Sequence, residues 1–215
     1  MKKAALHNLG CKVNAYETEA MQHLLEEAGY EIVPFTQKAD VYVINTCSVT
    51  NMADRKSRQM LHKAKKNNPD SIVVATGCYV QTSEKEVLND LSVDIVIGND
   101  RKHDLVRLLE EYSLDSVNDT VDDINDGKHD FEELFIDQTK EHTRAFIKVQ
   151  DGCNQFCSYC IIPYARGRVR SRRFENVIAE VERLAANGFK EVVLTGIHLS
   201  SYGCLLYTSD AADDT

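Results

Sequence analysis

The chain has 215 residues, of which 43% are hydrophobic, enough for one large domain or one and a half ordinary ones with a buried core. No apolar run is long enough to span a bilayer and no charged-then-apolar leader is seen, so we expect a cytoplasmic protein. Seven cysteines without a leader argue against a disulfide framework and favour metal or redox chemistry.

The net charge of −9 argues against a uniformly basic nucleic-acid binder, but the charge is unevenly distributed. Residues 110–142 contain twelve Asp or Glu against two Lys, whereas residues 144–173 contain seven Lys or Arg against one Asp. Lys and Arg neutralise phosphates locally, so the basic stretch is a candidate RNA contact. A solvated charged surface is the commoner role of such a run.

The first half of the chain alternates predicted strands with predicted helices. For the first helix, Asn14 is the expected N-cap, Glu17 stands in capping-box position, and Gly29 ends the helix. Such alternation is typical of an open parallel α/β sheet of the Rossmann or flavodoxin type. Strands are predicted over 3–9, 40–44, 71–75 and 94–97, a short apolar segment over 31–35, and helices over 14–28, 52–66, 83–90 and 102–112.

Three cysteines, Cys11, Cys47 and Cys78, each follow the end of a predicted strand. Ligands bind at the carboxyl edge of an open parallel sheet, so these thiols are expected to lie close together there. The sequence therefore predicts a three-thiolate site, although a buried cysteine can also be an ordinary small hydrophobe.

Residues 113–142 lack periodicity and are predicted to be an acidic linker between an amino-terminal domain (1–112) and a second unit (143–203). Four apolar residues of the linker are candidates for docking on one of the domains, and a disordered connector is the alternative. The four are Phe131, Leu134, Phe135 and Ile136.

In the second unit, a strand over 144–150 leads to the motif Cys153-x3-Cys157-x2-Cys160. Thiolates are soft ligands that suit iron–sulfur clusters, zinc or copper(I). A cubane cluster bound by only three cysteines leaves one iron open for a substrate. The alternative is structural zinc, which usually has four ligands and would need His142, Cys204 or a distant thiol. A helix over 175–187 and a strand over 191–195 follow.

The cysteine loop, with Tyr159 just before its last cysteine, resembles the signature of the radical S-adenosylmethionine (SAM) enzymes. The longer run over 148–167 resembles the methylthiotransferases, and its sequence is most similar to the branch that modifies threonylcarbamoyladenosine in tRNA. The amino-terminal third also fits that family, in the contexts Asn8-Leu9-Gly10-Cys11, Asn45-Thr46-Cys47 and Gly77-Cys78.

The resemblance implies two [4Fe–4S] clusters, one on each cysteine trio, with SAM bound at the open iron of the second. It implies that Tyr159 touches the adenine of SAM, with plain packing as the alternative, and that the backbone at Gly196 meets its amino group. The implied reaction places a methylthio group on C2 of the modified adenosine beside the anticodon. An electron donor and a sulfur source, both of unknown identity, would be further partners.

Several alternatives stay open from the sequence. The substrate could be another tRNA adenosine or a ribosomal protein aspartate, and the chain could instead be a non-catalytic iron–sulfur electron carrier or sensor. His198 is read as a structural histidine. The second unit provides only the start of a radical-SAM partial (β/α) barrel, and residues 204–215 do not continue the pattern. We expect a truncated chain with a non-native tail, poorly active, and assign Cys204 no role.

Overall fold

The computed structural model describes residues 1–112, 118–126, 129–136 and 144–204. Its first part is a six-stranded sheet in the order β2-β1-β3-β4-β5-β6, and every pair of neighbouring strands is parallel. The order of the first five strands is that of flavodoxin-like folds, so the predicted open parallel sheet is confirmed. The strands are β1 (Lys3–Asn8), β2 (Glu31–Ile32), β3 (Val41–Thr46), β4 (Ile72–Gly77), β5 (Ile95–Ile97) and β6 (Asn118–Thr120).

Helices cover both faces of this sheet, because its central strands are apolar on both sides. All six residues of β3 are buried, as expected for a central parallel strand. One core places α2 against one face, and a second core places α1 and α5 against the other. The helices are α1 (Lys12–Glu27), α2 (Asn51–Asn67), α3 (Cys78–Thr82), α4 (Glu84–Leu88) and α5 (Leu105–Glu111), with a 3-10 turn at Lys102–Asp104 before α5.

The second part begins the expected β/α unit. Strand β7 (Ala145–Lys148) pairs in parallel with β10 (Val192–Thr195), and β8 (Gln150–Asp151) pairs antiparallel with β9 (Arg170–Ser171). Helices α6 (Ile162–Arg166) and α7 (Phe174–Ala186) connect them, and a 3-10 turn at Leu199–Ser201 follows β10.

A third core joins the two parts through α1. Tyr16 and Ala20 of α1 pack with Ala145 and Ile147 of β7 and with Leu184 of α7. Helix α1 is therefore buried on two sides, by its own sheet and by the second unit. None of the helices in the described residues has the length and apolar character needed to cross a membrane.

The start of α1 differs from the prediction. The helix begins at Lys12 with Cys11 as its N-cap, and Cys11 makes no side-chain capping bond. Asn14 and Glu17 are fully buried inside the helix and bond to other elements, so the predicted capping box is wrong. The helix predicted over 83–90 is present as α4, and an additional short helix, α3, precedes it from Cys78.

The described parts of the acidic segment, residues 118–126 and 129–136, contain more structure than a plain connector does. Strand β6 lies inside it and adds a sixth strand to the sheet, which its polar sequence does not predict. Leu134 and Ile136 are buried in the third core, as the docking interpretation expected. Phe135 is partly exposed, beneath the guanidinium groups of Arg172 and Arg183. The domain limits themselves stay a prediction, and residues 205–215 lie outside the described residues.

Candidate functional site

The three strand-end cysteines lie at one edge of the sheet, as predicted from the topology. Cys11 precedes α1, Cys47 directly follows β3, and Cys78 is the first residue of α3 after β4. Strands β3 and β4 are neighbours in register, with Thr46 opposite Gly77, so the cysteine that follows each strand leaves the sheet at the same level.

The backbone beside Cys11 approaches Cys47 closely. A Cβ added to Gly10 would lie 3.1 Å from Cys47 Sγ, and Gly10 has a φ of +121°, in the region that favours glycine. Burial raises the pKa of the Cys47 thiol, and the nearby Cys78 and Cys11 raise it further, although a backbone hydrogen bond at Val49 and the charge of Arg166 oppose this. The three thiols therefore share one electrostatic environment.

The donor set consists of thiols, which are soft ligands that suit an iron–sulfur cluster or zinc. All six candidate ligand cysteines are free thiols. In the described parts of the chain, no three His, Cys, Asp or Glu side chains are grouped so that they could hold one metal ion. A zinc ion needs its ligands close together, with Zn–S near about 2.3 Å, whereas a cubane spreads its thiolates over separate irons. His142, a candidate zinc ligand, lies outside the described residues.

The second trio lies on one loop that follows β8. Cys157 is exposed, and Cys153 and Cys160 are partly exposed. Gly152 enters the loop with a φ of +70°, and an added Cβ would lie 1.9 Å from the carbonyl oxygen of Arg168. The backbone N–H of Cys153 donates to the carbonyl oxygen of Gly167 at 3.0 Å. The segment after α6 thus holds the base of the loop and leaves its thiols accessible.

Aromatic and basic side chains flank this loop. Phe156 has a φ of +46°, the left-handed region that non-glycine residues rarely adopt. The guanidinium of Arg168 lies 4.3 Å from the centre of the Phe156 ring, whose edge-to-face partner is Tyr164 at 5.7 Å. Tyr159 is 92% exposed, which excludes plain packing within this chain as its role.

Gly196 has a structural reason to be glycine. An added Cβ would lie 2.9 Å from the side chain of Gln150, whose Oε1 accepts a hydrogen bond from the backbone N–H of His198 at 2.6 Å. His198 itself bonds through Nδ1 to the hydroxyl of Ser201 at 2.6 Å, in keeping with a structural histidine. A contact of Gly196 with SAM stays a prediction.

A buried ion network lies between the two cysteine trios, and it was not predicted from the sequence. Glu17 Oε1 lies 2.6 Å from Arg166 Nη1 and 2.7 Å from Lys148 Nζ, and Glu17 Oε2 lies 3.4 Å from Lys102 Nζ. Asp151, two residues before Cys153, lies 2.6 Å from Lys148 and 3.2 Å from Arg166. These side chains are at most 2% exposed, so the charges are held away from water.

The network also bonds to the backbone beside the first trio. Asn14 Oδ1 accepts from Arg166 Nη2 at 2.6 Å, and Asn14 Nδ2 donates to the carbonyl oxygens of Leu9 and Thr46 at 2.9 Å each. Thr46 precedes Cys47, so Arg166 helps to fix the edge that carries the first trio. The sequence signal is that Asn14 and Glu17 are three residues apart on one helix face, a spacing that a capping box also has.

The carboxylates of the network stay ionised. Burial alone would raise the pKa of Glu17, but Arg166, Lys102 and Lys148 hold it well below its usual value. Burial would likewise raise the pKa of Asp151, but Lys148, Arg166 and Arg170 hold it below its usual value. Burial opposes the charge of Arg166, yet Glu17, Asp151 and Cys78 hold the pKa of that guanidinium well above normal.

The basic stretch is mostly internal, which corrects its interpretation as an RNA contact. Arg166, Arg170 and Arg172 are buried, and each is paired with carboxylates, Arg172 with Glu180 and Glu133. In the arginine run after the cysteine loop, only Arg168 and Arg173 are exposed. Salt bridges inside the protein therefore account for most of the run, and a solvated charged surface does not describe its buried arginines.

Comparison with known proteins agrees with this arrangement. Residues 3–98 match the family described as "Uncharacterized protein family UPF0004", and residues 147–203 match the radical SAM superfamily. The chain is 48% identical, over 94% of its length, to a protein of Bacillus subtilis (strain 168) named threonylcarbamoyladenosine tRNA methylthiotransferase MtaB, of which it covers 45%. The chain is therefore similar, over nearly its whole length, to radical SAM methylthiotransferases. The resemblance predicted from the two cysteine patterns is thereby confirmed.

The chain is also similar to a methylthiotransferase with a different named substrate and to a solved radical SAM structure. A Thermoanaerobacter sp. (strain X514) protein named tRNA-2-methylthio-N(6)-dimethylallyladenosine synthase is 35% identical over 92% of the chain, which covers 43% of it. The fold resembles the radical SAM methyltransferase TsrM from Kitasatospora setae, with a TM-score of 0.59 at 15% identity over 93% of this chain and 49% of that one. The chain spans about half the length of the curated relatives it matches.

Proposed function

We propose that this chain forms part of an enzyme that transfers a methylthio group to C2 of N6-threonylcarbamoyladenosine, next to the anticodon of tRNA. The observation that carries the proposal is the loop of three free, accessible thiols, Cys153, Cys157 and Cys160, at the start of a β/α unit. The 48% identity to a methylthiotransferase with this substrate in its name supports the choice of substrate. A cytoplasmic location goes with a tRNA substrate.

In this proposal the two trios have separate tasks. Cys153, Cys157 and Cys160 would hold one [4Fe–4S] cluster with an open iron for SAM, and Cys11, Cys47 and Cys78 would hold a second. When bound, the first cluster with SAM supplies the radical that activates C2, and the second cluster supplies or carries sulfur.

The protein's own residues bind, orient and exclude water around these groups. Gly152 and Gly167 hold the base of the loop, whose three cysteines are exposed or partly exposed. The exposed ring of Tyr159 is available to stack on the adenine of SAM, and the turn at Gly196 would meet its amino group. The buried network fixes both trios relative to each other through Arg166 and Asp151.

The test is the iron and sulfide content of the 215-residue chain after anaerobic reconstitution. We expect about eight irons per chain in the parent and about four in Cys153→Ala/Cys157→Ala/Cys160→Ala. The matched variant Cys11→Ala/Cys47→Ala/Cys78→Ala should also retain about four. Cys204→Ala is the control, because this exposed cysteine belongs to neither trio, and its iron content should equal that of the parent.

Three outcomes would contradict parts of the proposal. Zinc in place of iron would overturn the cluster chemistry. Iron without reductive cleavage of SAM would favour an electron carrier or sensor. The substrate is decided by supplying tRNA that carries either threonylcarbamoyladenosine or dimethylallyladenosine and analysing the products by mass spectrometry. Methylthiolation of dimethylallyladenosine alone would refute the proposed substrate.

A further inference from the structure

A buried asparagine that the sequence did not single out contacts the first trio. Asn99 follows β5, is fully buried, and lies with Nδ2 3.8 Å from Cys78 Sγ. The same amide nitrogen donates to the carbonyl oxygen of Ala165 at 2.6 Å, which fixes the direction of the side chain. The amide N–H of Asn99 is therefore a hydrogen-bond donor to the sulfur of Cys78.

A buried ammonium group strengthens this donor. Lys102 Nζ lies 2.8 Å from Asn99 Oδ1 and 2.8 Å from the Asn99 carbonyl oxygen. A cation that donates to an amide oxygen polarises the amide, so its N–H becomes a better donor in a low-dielectric interior. Because Lys102 is fully buried, water does not screen its charge.

The charge balance around this contact is positive. Lys102, Lys148, Arg166 and Arg170 contact the carboxylates of Glu17 and Asp151, and the carboxylate of Glu132 also acts on Lys148. The group therefore comprises four cations and three carboxylates. Arg166 interacts electrostatically with both Cys78 and Cys47, so at least one cation of the group acts directly on the thiols.

We propose that Asn99, Lys102 and Arg166 are positioning residues that raise the reduction potential of a cluster on Cys11, Cys47 and Cys78. The inference rests on the proposed function, since it needs a cluster at that trio. Reduction adds one electron from an external one-electron donor and breaks no bond. A hydrogen bond to a ligand sulfur and nearby buried cations stabilise the more negative, reduced form.

The experiment is a redox titration of the reconstituted full chain in the Cys153→Ala/Cys157→Ala/Cys160→Ala background. In this background the measured reduction potential is that of the cluster on the first trio. Asn99→Ala removes the donor, and Lys102→Met removes the charge but keeps the shape. Each is expected to lower the equilibrium constant for reduction at least about tenfold, which is about 59 mV for a one-electron couple. Arg166→Lys keeps the positive charge and should change the potential less than Arg166→Gln does.

Arg107→Gln is the control, because it removes a cation from the exposed side of neighbouring helix α5. Water screens that charge, so its potential should equal that of the parent. If the variants bind about four irons and titrate like Arg107→Gln, the inference fails and the proposed function stands. If the parent background binds no iron, both fail. If Lys102→Met does not fold, Asn99→Ala decides the result, because it leaves every charge in place.

Discussion

Replacing Glu17 by glutamine should destabilise the fold more than an ordinary surface change does. Glu17 is fully buried and contacts three cations, Lys102, Lys148 and Arg166, at 3.4, 2.7 and 2.6 Å. Removing one partner of a buried ion pair costs about 3–5 kcal/mol, because the remaining charges stay buried without compensation. Glutamine keeps the shape and one acceptor oxygen, so the loss reports the charge and not a cavity.

The assay is urea unfolding and thermal unfolding of the apo chain at pH 7, both monitored by circular dichroism. For a chain of this size, 3–5 kcal/mol corresponds to a fall in melting temperature on the order of 10 °C. Glu27→Gln is the matched control on the same helix, because Glu27 is exposed and forms an ion pair with His23 at 3.5 Å. An exposed pair contributes less than about 1 kcal/mol.

The pH dependence gives an independent check. The folded pKa of Glu17 is depressed, so its contribution is fully present above the unfolded pKa near 4.5 and is lost as the pH falls through the lower folded pKa. The stability difference between the parent and Glu17→Gln should therefore shrink as the pH falls below about 4.5. A difference no larger than that of Glu27→Gln at pH 7, or one unchanged down to pH 3, would refute the reasoning.

Two further predictions concern glycines beside the cysteine trios. Gly10→Ala should lower the iron bound by the first trio, because the new methyl group would contact Cys47 Sγ; Gly29→Ala, also at positive φ but in open space, should leave iron unchanged. Gly152→Ala should destabilise the chain far more than Gly188→Ala, because a backbone oxygen blocks the new methyl group at Gly152 and nothing lies near it at Gly188. Gly188→Ala should cost only the backbone strain of about 1–2 kcal/mol. Equal melting temperatures of the two variants would contradict this.

The sheet and its cysteine edge could be predicted because local patterns determine them. The short, β-branched apolar runs of β3 and β4 are typical of buried strands, and parallel strands present their carboxyl ends at one edge. Once the strands are placed, the position of Cys47 and Cys78 follows from the topology. The loop motif at Cys153 needs no topology at all, since its three thiols lie within eight residues.

The buried network could not be predicted, because its members are far apart in sequence and have no local signature. Glu17 and Arg166 are 149 residues apart, and each matches a common surface pattern, a capping box and a basic run. Their burial follows from the docking of the second unit on α1, which no periodicity reports. Strand β6 could not be predicted for a related reason. Its residues are polar, and it forms a strand because it pairs with β5.

The buried ion network also links the stability of the six-stranded sheet domain to that of the second unit. A chain shortened to residues 1–112 tests this link. In residues 1–112 alone, Glu17 would lose Lys148 and Arg166, and the face of α1 that carries Tyr16 and Ala20 would lie open to water. We expect Glu17→Gln to cost less than about 1 kcal/mol in that fragment, against about 3–5 kcal/mol in the full chain. The difference between the two costs measures the coupling between the parts. Equal costs in both would show that Lys102 alone holds the carboxylate, and that the two parts fold without this link.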